Sequence, residues 1–479
     1  MLDLLNTIVS WGNTIVWSYV LIYMLLGLGV YFTFKTGFVQ FRFIKEMVML
    51  LGEKAVSSVS SDKDSNQVSS FQAFCVSIAS RVGTGNLAGV AIAISVGGPG
   101  AVFWMWLIAL IGAASGFIES TLAQIYKVQD EDGSYRGGPA YYMDQDLNKK
   151  WMGVLFSILL TFCFGLVFNA VQANTISFAF AEAFGINRLA LGLILVVCVA
   201  AIIFGGVKRI AKVAEKIVPV MAVGYLIVAL FVVIKNISAI PAVISLIFSN
   251  AFGLQEAVGG GLGATIMMGI KRGLFSNEAG MGSAPNAAAT AEVSHPVKQG
   301  LVQTLGVFTD TILICSATAF MIIISGAYTE AGLTGIQLTQ AALSATVGSW
   351  ADTFIAVAIF LFAFSSILGN YVYGESNIKF GSVSNKWLIV YRIAVLGMVM
   401  FGSISKIAIV WSMADLFMGL MAFVNLVAIT MLTPVAVRAL KDYAQQKRAG
   451  QDPVFTKESI TGLDEIECWE DQDENSIKA

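Results

Sequence analysis

Two stretches of this chain, Arg81 to Gly89 (RVGTGNLAG) and Arg272 to Gly280 (RGLFSNEAG), repeat one pattern, R-x4-N-x-A-G. Each sets a guanidinium, a carboxamide and several glycines inside an otherwise apolar run. In lipid that combination is costly unless a helix is interrupted there and its freed N–H and C=O groups meet a ligand. The chemistry on offer is coordination, with no bond made or broken. Amides that open a resumed half-helix suit an anion such as a carboxylate, and carbonyls that end the preceding half-helix suit a bare cation. In the first stretch the amides of Thr84 and Gly85 would take the anion. The carbonyls of Ala79 and Val82 and the neutral oxygen of Asn86 would take a cation such as Na⁺. Close helix packing explains glycines but not the adjacent arginine and asparagine.

The second interruption is expected between Thr265 and Gly280, with Thr265, Gly269, Gly273, Phe275 and Ser276 as substrate contacts. Two placements stay open. In the first, which the repeat favours, Gly259 to Gly263 form an external loop and the break surrounds Arg272 to Asn277. In the second the helix starts near Leu254, and Arg272 lies about 27 Å in, approaching the cytoplasm. Arg81 and Arg272 each precede their break and are candidate gates on opposite sides of the substrate; snorkelling or structural pairing is the competing reading. Asn169 and Gln172, one turn apart on a helix, could hold a substrate ammonium or carboxylate, or join helices. Ser365 and Ser366 could give hydroxyl oxygens to a cation. Glu119 and Asp310 could carry protons or pair with loop bases near their helix ends. His295, before Pro296 in a loop, reads as a surface residue, and Trp104 and Trp106 read as interfacial anchors.

The elements that must position these residues follow from composition. The chain has 479 residues, 57% hydrophobic and 13% charged, with mean hydropathy +0.76, against about 25% charged in soluble proteins. It is expected to be an all-α integral membrane protein. The five cysteines, at 75, 163, 198, 315 and 468, have no paired spacing and His295 is the sole histidine, so neither a disulfide framework nor a metal cluster is encoded. A membrane enzyme lacks its nucleophile or metal constellation, a channel lacks a continuous polar pore, and nucleic acid lacks a basic stripe. A hydrocarbon core of about 30 Å needs roughly 20 apolar residues per helix. Read on that scale, the sequence gives about eleven spans: 14–34, 71–97, 100–126, 152–180, 188–206, 213–235, 254–291, 302–326, 350–375, 386–404 and 408–435.

The first span stands outside the repeat, in a segment of residues 1–70. The other ten divide into five plus five, residues 71–238 and 239–437, and the odd offset inverts one half relative to the other. Alternate loops carry the basic residues, among them Lys35, Arg42, Lys127, Arg136, Lys149, Arg209, Lys212, Lys298 and Lys379, while the opposite loops hold only Arg188, Lys235 and Lys406. The rich side is expected to be cytoplasmic, with the N-terminus outside and the C-terminus inside. Residues 438–479, with Asp464, Glu465, Glu467, Glu470, Asp471, Asp473 and Glu474, read as a solvated, mostly disordered acidic tail.

GGPGAVFWMWLIALIG (97–112) resembles the signature of the alanine or glycine:cation symporter family, the sodium:alanine symporters. SRVGTGNLAGVA, GFIESTLAQIYK, YRGGPAYYM and GIKRGLFSNEAGMGSAPNAAA are similar to further family segments in the same order. The resemblance covers about residues 15–440. It implies a secondary-active importer of small neutral amino acids, alanine and glycine above all, in a cell membrane. Na⁺ would be the coupling ion, or H⁺, with no other cofactor, and the fold would be the five-plus-five inverted repeat of leucine transporters with two broken helices. By the same resemblance Thr84 and Gly85 map to the substrate carboxylate and Asn86 to one sodium. Ala79, Val82, Ser365 and Ser366 map to a second sodium.

Overall fold

The computed structural model describes residues 2–53, 68–130, 133–253, 261–330, 332–381, 385–463 and 466–469. Among them the chain is helical apart from an antiparallel hairpin of β1 (Val128–Gln129) and β2 (Tyr135–Arg136) and an isolated bridge between Val68 and Ala291. Among the described residues eight helices are long and apolar enough to cross a membrane, and nine if one bent pair is a single span. These are α1 (Thr7–Lys35), the pair α2 (Ser70–Arg81) and α3 (Gly85–Gly97), α4 (Ala101–Ile125), α5 (Lys150–Phe184), α7 (Arg209–Lys235), α9 (Pro296–Ser325), α10 (Trp350–Gly381), α11 (Lys386–Ile404) and α12 (Ile407–Arg448). Two of the expected spans are shorter as helices. One is α6 (Arg188–Ile203), of 16 residues. The other, over 254–291, is not one helix: α8 (Leu262–Asn277) stops after 16 residues, and a one-turn helix, Pro285–Ala288, follows. A start near Leu254, and Gly259 and Gly260, lie outside the described residues.

The packing follows lipid logic. On α7, Val220, Val223, Ile227, Leu230, Phe231 and Ile234 are exposed, while Val218, Met221, Tyr225, Ala229 and Val232 are buried. Both sets recur every three or four residues, so one stripe faces the hydrocarbon and the other the protein. The bent pair is the opposite case, since every residue from Ala73 to Ala91 is buried. α2 starts at a capping box in which Ser69 Oγ accepts the Gln72 N–H and Gln72 Oε1 accepts the Ser69 N–H. It stops at Val82, whose ψ of 89° is not helical, and the chain resumes at Thr84 with a 47° bend. π-helical segments flank the interruption at Gly85–Gly89, Thr161–Phe168 on α5 and Phe308–Cys315 on α9. Such wide turns redirect side chains out of the regular helical register, and they concentrate at functional sites.

The expectation of a solvated tail is corrected for its described part. Phe455, Ile460, Leu463, Ile466 and Trp469 are buried, the Phe455 N–H donates to Ser294 O, and Trp469 Nε1 donates to Gln124 O at 3.0 Å. Glu467 Oε1 accepts the Gln129 N–H at 3.2 Å; Asp464, Glu465, Glu470, Asp471, Asp473 and Glu474 lie outside the described residues. The acidic residues masked an apolar set large enough to hold this strand of chain against the membrane helices.

His295, expected at the surface, is fully buried under that tail. Its Nδ1 accepts the Val297 N–H at 3.2 Å, capping α9, its Nε2 lies 3.1 Å from Asp442, and the rings of Tyr443 and Phe455 stand edge-on to it. Burial holds its pKa below the ordinary imidazole value, against the pull of Asp442 and with the push of Lys298. A depressed folded value means that the neutral ring stabilises the latch above about pH 6.5, the unfolded value, and that this stability is lost as pH falls through the folded value. A second proton would occupy the Nδ1 lone pair that caps α9. Hydrogen exchange in residues 453–469 should therefore rise on acidification. His295→Asn, which keeps a capping oxygen and does not titrate, should flatten that response, and an unchanged response would remove His295 as its source.

Candidate substrate and cation site

At the first interruption, Thr84 directs two donors at one atom: its N–H at 3.0 Å and its hydroxyl at 2.7 Å both reach Gln172 Oε1 from α5. The Gly83 N–H turns instead to Asn86 Oδ1 at 2.9 Å. A continuing helix would have given that N–H to the Ala79 carbonyl, so the carbonyl loses its helical partner. A Cβ on Gly83 would come within 2.2 Å of Ser366 Oγ and 2.9 Å of Gln172 Oε1, so only glycine lets α10 and α5 close on the break. Ser366 Oγ thus lies against the freed backbone, donating to Phe362 O at 3.0 Å. Ser365 donates to the same carbonyl at 2.9 Å but also faces Met221 Sδ of α7 at 3.6 Å.

Asp310, in the wide turn of α9, ties both motif copies together. Its Oδ1 accepts Asn86 Nδ2 at 2.6 Å, and its Oδ2 accepts the hydroxyls of Ser276 at 2.7 Å and Thr311 at 2.8 Å. Phe275 packs on Gly85 and bridges two rings, Phe168 with centroids 4.5 Å apart and Trp411 at 4.8 Å. Arg272 lies over Trp411, 4.6 Å from the ring centroid, and its Nη2 pairs with Asp415 Oδ1 of α12; Lys271 Nζ is 3.7 Å from the other Asp415 oxygen. Arg81 donates to Gln303 O at 3.0 Å and fills the space that Gly306 leaves. Arg272 packs beside Gly89, past the first break, whereas Arg81 stands just before it.

Several expected contacts are not at this centre. The second interruption does not surround Arg272 to Asn277, because α8 is continuous to Asn277. Gly269 and Gly273 are packing glycines, whose Cβ atoms would meet Ala101 O at 2.4 Å and Ile108 Cγ2 at 2.6 Å of α4, and Thr265 donates to Gly97 O at 2.7 Å. The backbone turns after the helix, at Glu278, Gly280 and Gly282, with φ of 57°, 83° and 83°. Glu119 holds that turn: its two oxygens accept the Gly280 and Gly282 N–H groups, each at 3.0 Å, and Asn425 Nδ2 at 2.7 Å. Among the described residues neither Glu119 nor Asp310 pairs with a loop base; Glu119 is spent on the turn after α8 and Asp310 on the two motif copies. Asn169 does not join Gln172 at Thr84; its Oδ1 accepts Asn370 Nδ2 at 3.2 Å. Trp104 and Trp106 donate inward, to Ala251 O at 3.0 Å and Ser316 Oγ at 2.7 Å. Sequence reasoning passed over Phe168, Trp411 and Glu278. Glu278 had a signal, because it stands in the second motif copy where the first has Leu87.

The family model of the sodium:alanine symporter family matches residues 2–457. The chain belongs to that family. It is a multi-pass membrane protein that couples amino-acid movement to a cation, a transporter and not an enzyme. Among its relatives is a probable sodium/glutamine symporter GlnT of Bacillus subtilis, 59% identical over 98% of this chain and 97% of the relative. An amino-acid carrier protein AlsT of the same organism is 56% identical over 98% of each. The sodium/alanine symporter AgcS of Methanococcus maripaludis is 36% identical over 93% of this chain and 98% of that one. In fold the symporter is similar to MhsT, crystallised in complex with L-phenylalanine, with TM-score 0.52 and 13% identity over 78% of this chain and 98% of that chain. That likeness establishes the leucine-transporter type of fold. On the side of the β1–β2 hairpin, a cavity of about 310 Å³ enters the symporter between Arg136, Asn286, Glu375 and Lys379. Arg136 pairs with Asp130 at 2.5 Å, and Lys379 lies 3.4 Å from Glu375.

Proposed function

We propose that this symporter imports small neutral amino acids, alanine and glycine among them, with Na⁺ by alternating access, and that Thr84 and Gly85 hold the substrate carboxylate. The observation that carries the reading is the convergence of the Thr84 N–H and hydroxyl on one oxygen of Gln172. That carboxamide oxygen occupies the place of a carboxylate oxygen and is displaced when substrate arrives. Phe275 and Ser276 pack on Gly85, and the Phe275 ring lies against those of Phe168 and Trp411; packing this close to the break favours a substrate with a short side chain. Na⁺ is held between the carbonyls of Ala79 and Val82 and Ser366 Oγ, with Ser365 a lesser partner and Asn86 serving a second ion beside Asp310. Rocking of one five-helix repeat, residues 71–238, against its inverted partner, residues 239–437, moves the site between faces. The N-terminus is outside and the basic loops are cytoplasmic. The Arg272–Asp415 pair then closes the outer path, and Lys379 of α10, 3.7 Å from Asp130 beside the β1–β2 hairpin, closes the inner one; Arg81 gates from within by its hold on Gln303. Glutamine is a second candidate substrate, favoured by the name of the GlnT relative.

Uptake of labelled alanine and glutamine into proteoliposomes under imposed Na⁺ or H⁺ gradients tests the reading. Alanine accumulation driven by Na⁺ is expected. Accumulation driven only by H⁺ would replace the coupling ion, and exclusive glutamine uptake would replace the substrate. In the same assay Ser366→Ala should weaken Na⁺ activation more than Ser365→Ala, because only Ser366 abuts the break, and the double variant should lose Na⁺ dependence. Wild-type Na⁺ activation in the double variant would remove both serines from the ion site.

A further inference from the structure

The hydrogen bonds around Ser80 mark a site that Na⁺ binding, as proposed above, does not use. Ser80 Oγ, one residue before Arg81 on α2, lies 2.7 Å from Glu278 Oε1 and 2.8 Å from Asn370 Oδ1. The orientation of Asn370 is dictated along a chain. Asn169 Nδ2 donates to the Gly165 carbonyl at 2.9 Å, so Asn169 Oδ1 is an acceptor; Asn370 Nδ2 must be the donor to it, and Asn370 Oδ1 is left facing Ser80. Ser80 has one hydroxyl hydrogen and two acceptors. The far oxygen of Glu278 is satisfied by Ser283 Oγ at 2.6 Å, so the missing hydrogen belongs on Oε1.

We propose that Glu278 is a proton-binding site, carrying its proton on Oε1 in this arrangement. The chain then runs without a gap: Glu278 Oε1–H to Ser80 Oγ, Ser80 Oγ–H to Asn370 Oδ1, Asn370 Nδ2–H to Asn169 Oδ1. It joins the turn after α8 to α2, α10 and α5. The neighbouring carboxylates are filled differently. Glu119 receives two amide N–H groups and a carboxamide, and Asp310 a carboxamide and two hydroxyls, so each meets only donors and is served as an anion. The groups that face Glu278 are Arg81 from α2, Asp310 from α9, Tyr373 from α10 and Cys163 from α5. Arg81 is the one cation among these, it is within electrostatic reach of Glu119 as well, and its Nε and Nη2 have no hydrogen-bond partner among the described residues. One guanidinium cannot balance three buried carboxylates, and a neutral Glu278 reduces the excess. When the proton leaves, the single hydrogen of Ser80 turns to the carboxylate, Asn370 Oδ1 loses its donor, and the tie between the interrupted helices and α5 opens. Proton occupancy of Glu278 thus favours the arrangement in which the turn after α8, α2, α10 and α5 are tied together.

Infrared difference spectra of the purified, lipid-embedded carrier, taken on addition of Na⁺ with alanine and, separately, with glutamine, read the site directly and do not depend on which amino acid is transported. The wild type should lose a protonated-carboxyl stretch, and Glu278→Gln, whose amide can still donate to Ser80, should lack that band. The variant's Na⁺-driven uptake should lose its dependence on pH. Ser80→Ala should keep the band but shift it, since its acceptor is gone. A band that persists unchanged in E278Q and S80A overturns the proposal. So does a wild type without any such band whose Na⁺ activation disappears in E278Q, which would assign the three converging oxygens to Na⁺.

Discussion

Thr84→Pro should abolish high-affinity amino-acid binding while the protein still reaches the membrane, and Thr84→Ala should do much less. Thr84 has φ −56° and ψ −31°, already within the range that a proline ring imposes, and it opens a half-helix, where proline is tolerated. The preceding residue, Gly83, has no Cβ to clash with the ring. Proline therefore deletes a single N–H with little backbone strain. A hydrogen bond to a charged group contributes about 1.5–3 kcal/mol, so losing this one should weaken binding of a carboxylate by roughly 10- to 150-fold, before the loss of the hydroxyl is added. Alanine removes only the hydroxyl, a bond of about 0.5–1.5 kcal/mol. Binding of labelled alanine to purified protein distinguishes them. Equal damage from both variants would mean that the hydroxyl and not the amide holds the substrate.

The second large effect is asymmetric. Asp415→Ala strands the Arg272 guanidinium, whose side chain is 2% exposed, against the rings of Trp411 and Phe275, which carry no counter-charge. Arg272→Ala instead leaves Asp415 with Lys271 at 3.7 Å and 13% exposed. Breaking a buried pair by removing one partner costs about 3–5 kcal/mol, mostly from the charge left behind. Asp415→Ala should accordingly lower thermal stability well beyond Arg272→Ala, and the double variant should recover part of the loss. If the two single variants were equally unstable, Lys271 would not be compensating. If the double variant were worse than either, the pair would not be the dominant coupling.

The first interruption was legible because its chemistry is local. Arg81, Gly83, Thr84 and Asn86 lie within six consecutive residues, and the Asn86 side chain answers the Gly83 N–H three residues away. Glycine, threonine and asparagine at that spacing have little other use inside an apolar run. Membrane residence and most of the span positions were legible for a similar reason, since a run of about 20 apolar residues reflects the thickness of lipid whatever it packs against.

What only the tertiary structure decided lies at positions where a distant segment supplies the partner. Gly269 and Gly273 looked like a broken backbone, but a glycine spacing is the same whether it breaks a helix or admits a neighbour, and the arrival of Ala101 and Ile108 settles it as packing. The turn moved to Glu278–Gly282 because Glu119, 161 residues earlier in the chain, brings the carboxylate that receives its amides. His295 became a buried cap because Asp442 and Phe455 come back over it from the far end of the chain. A residue's own type sets what it can donate, accept or exclude from water; which of those capacities is used depends on the groups that folding brings within about 3 Å of it.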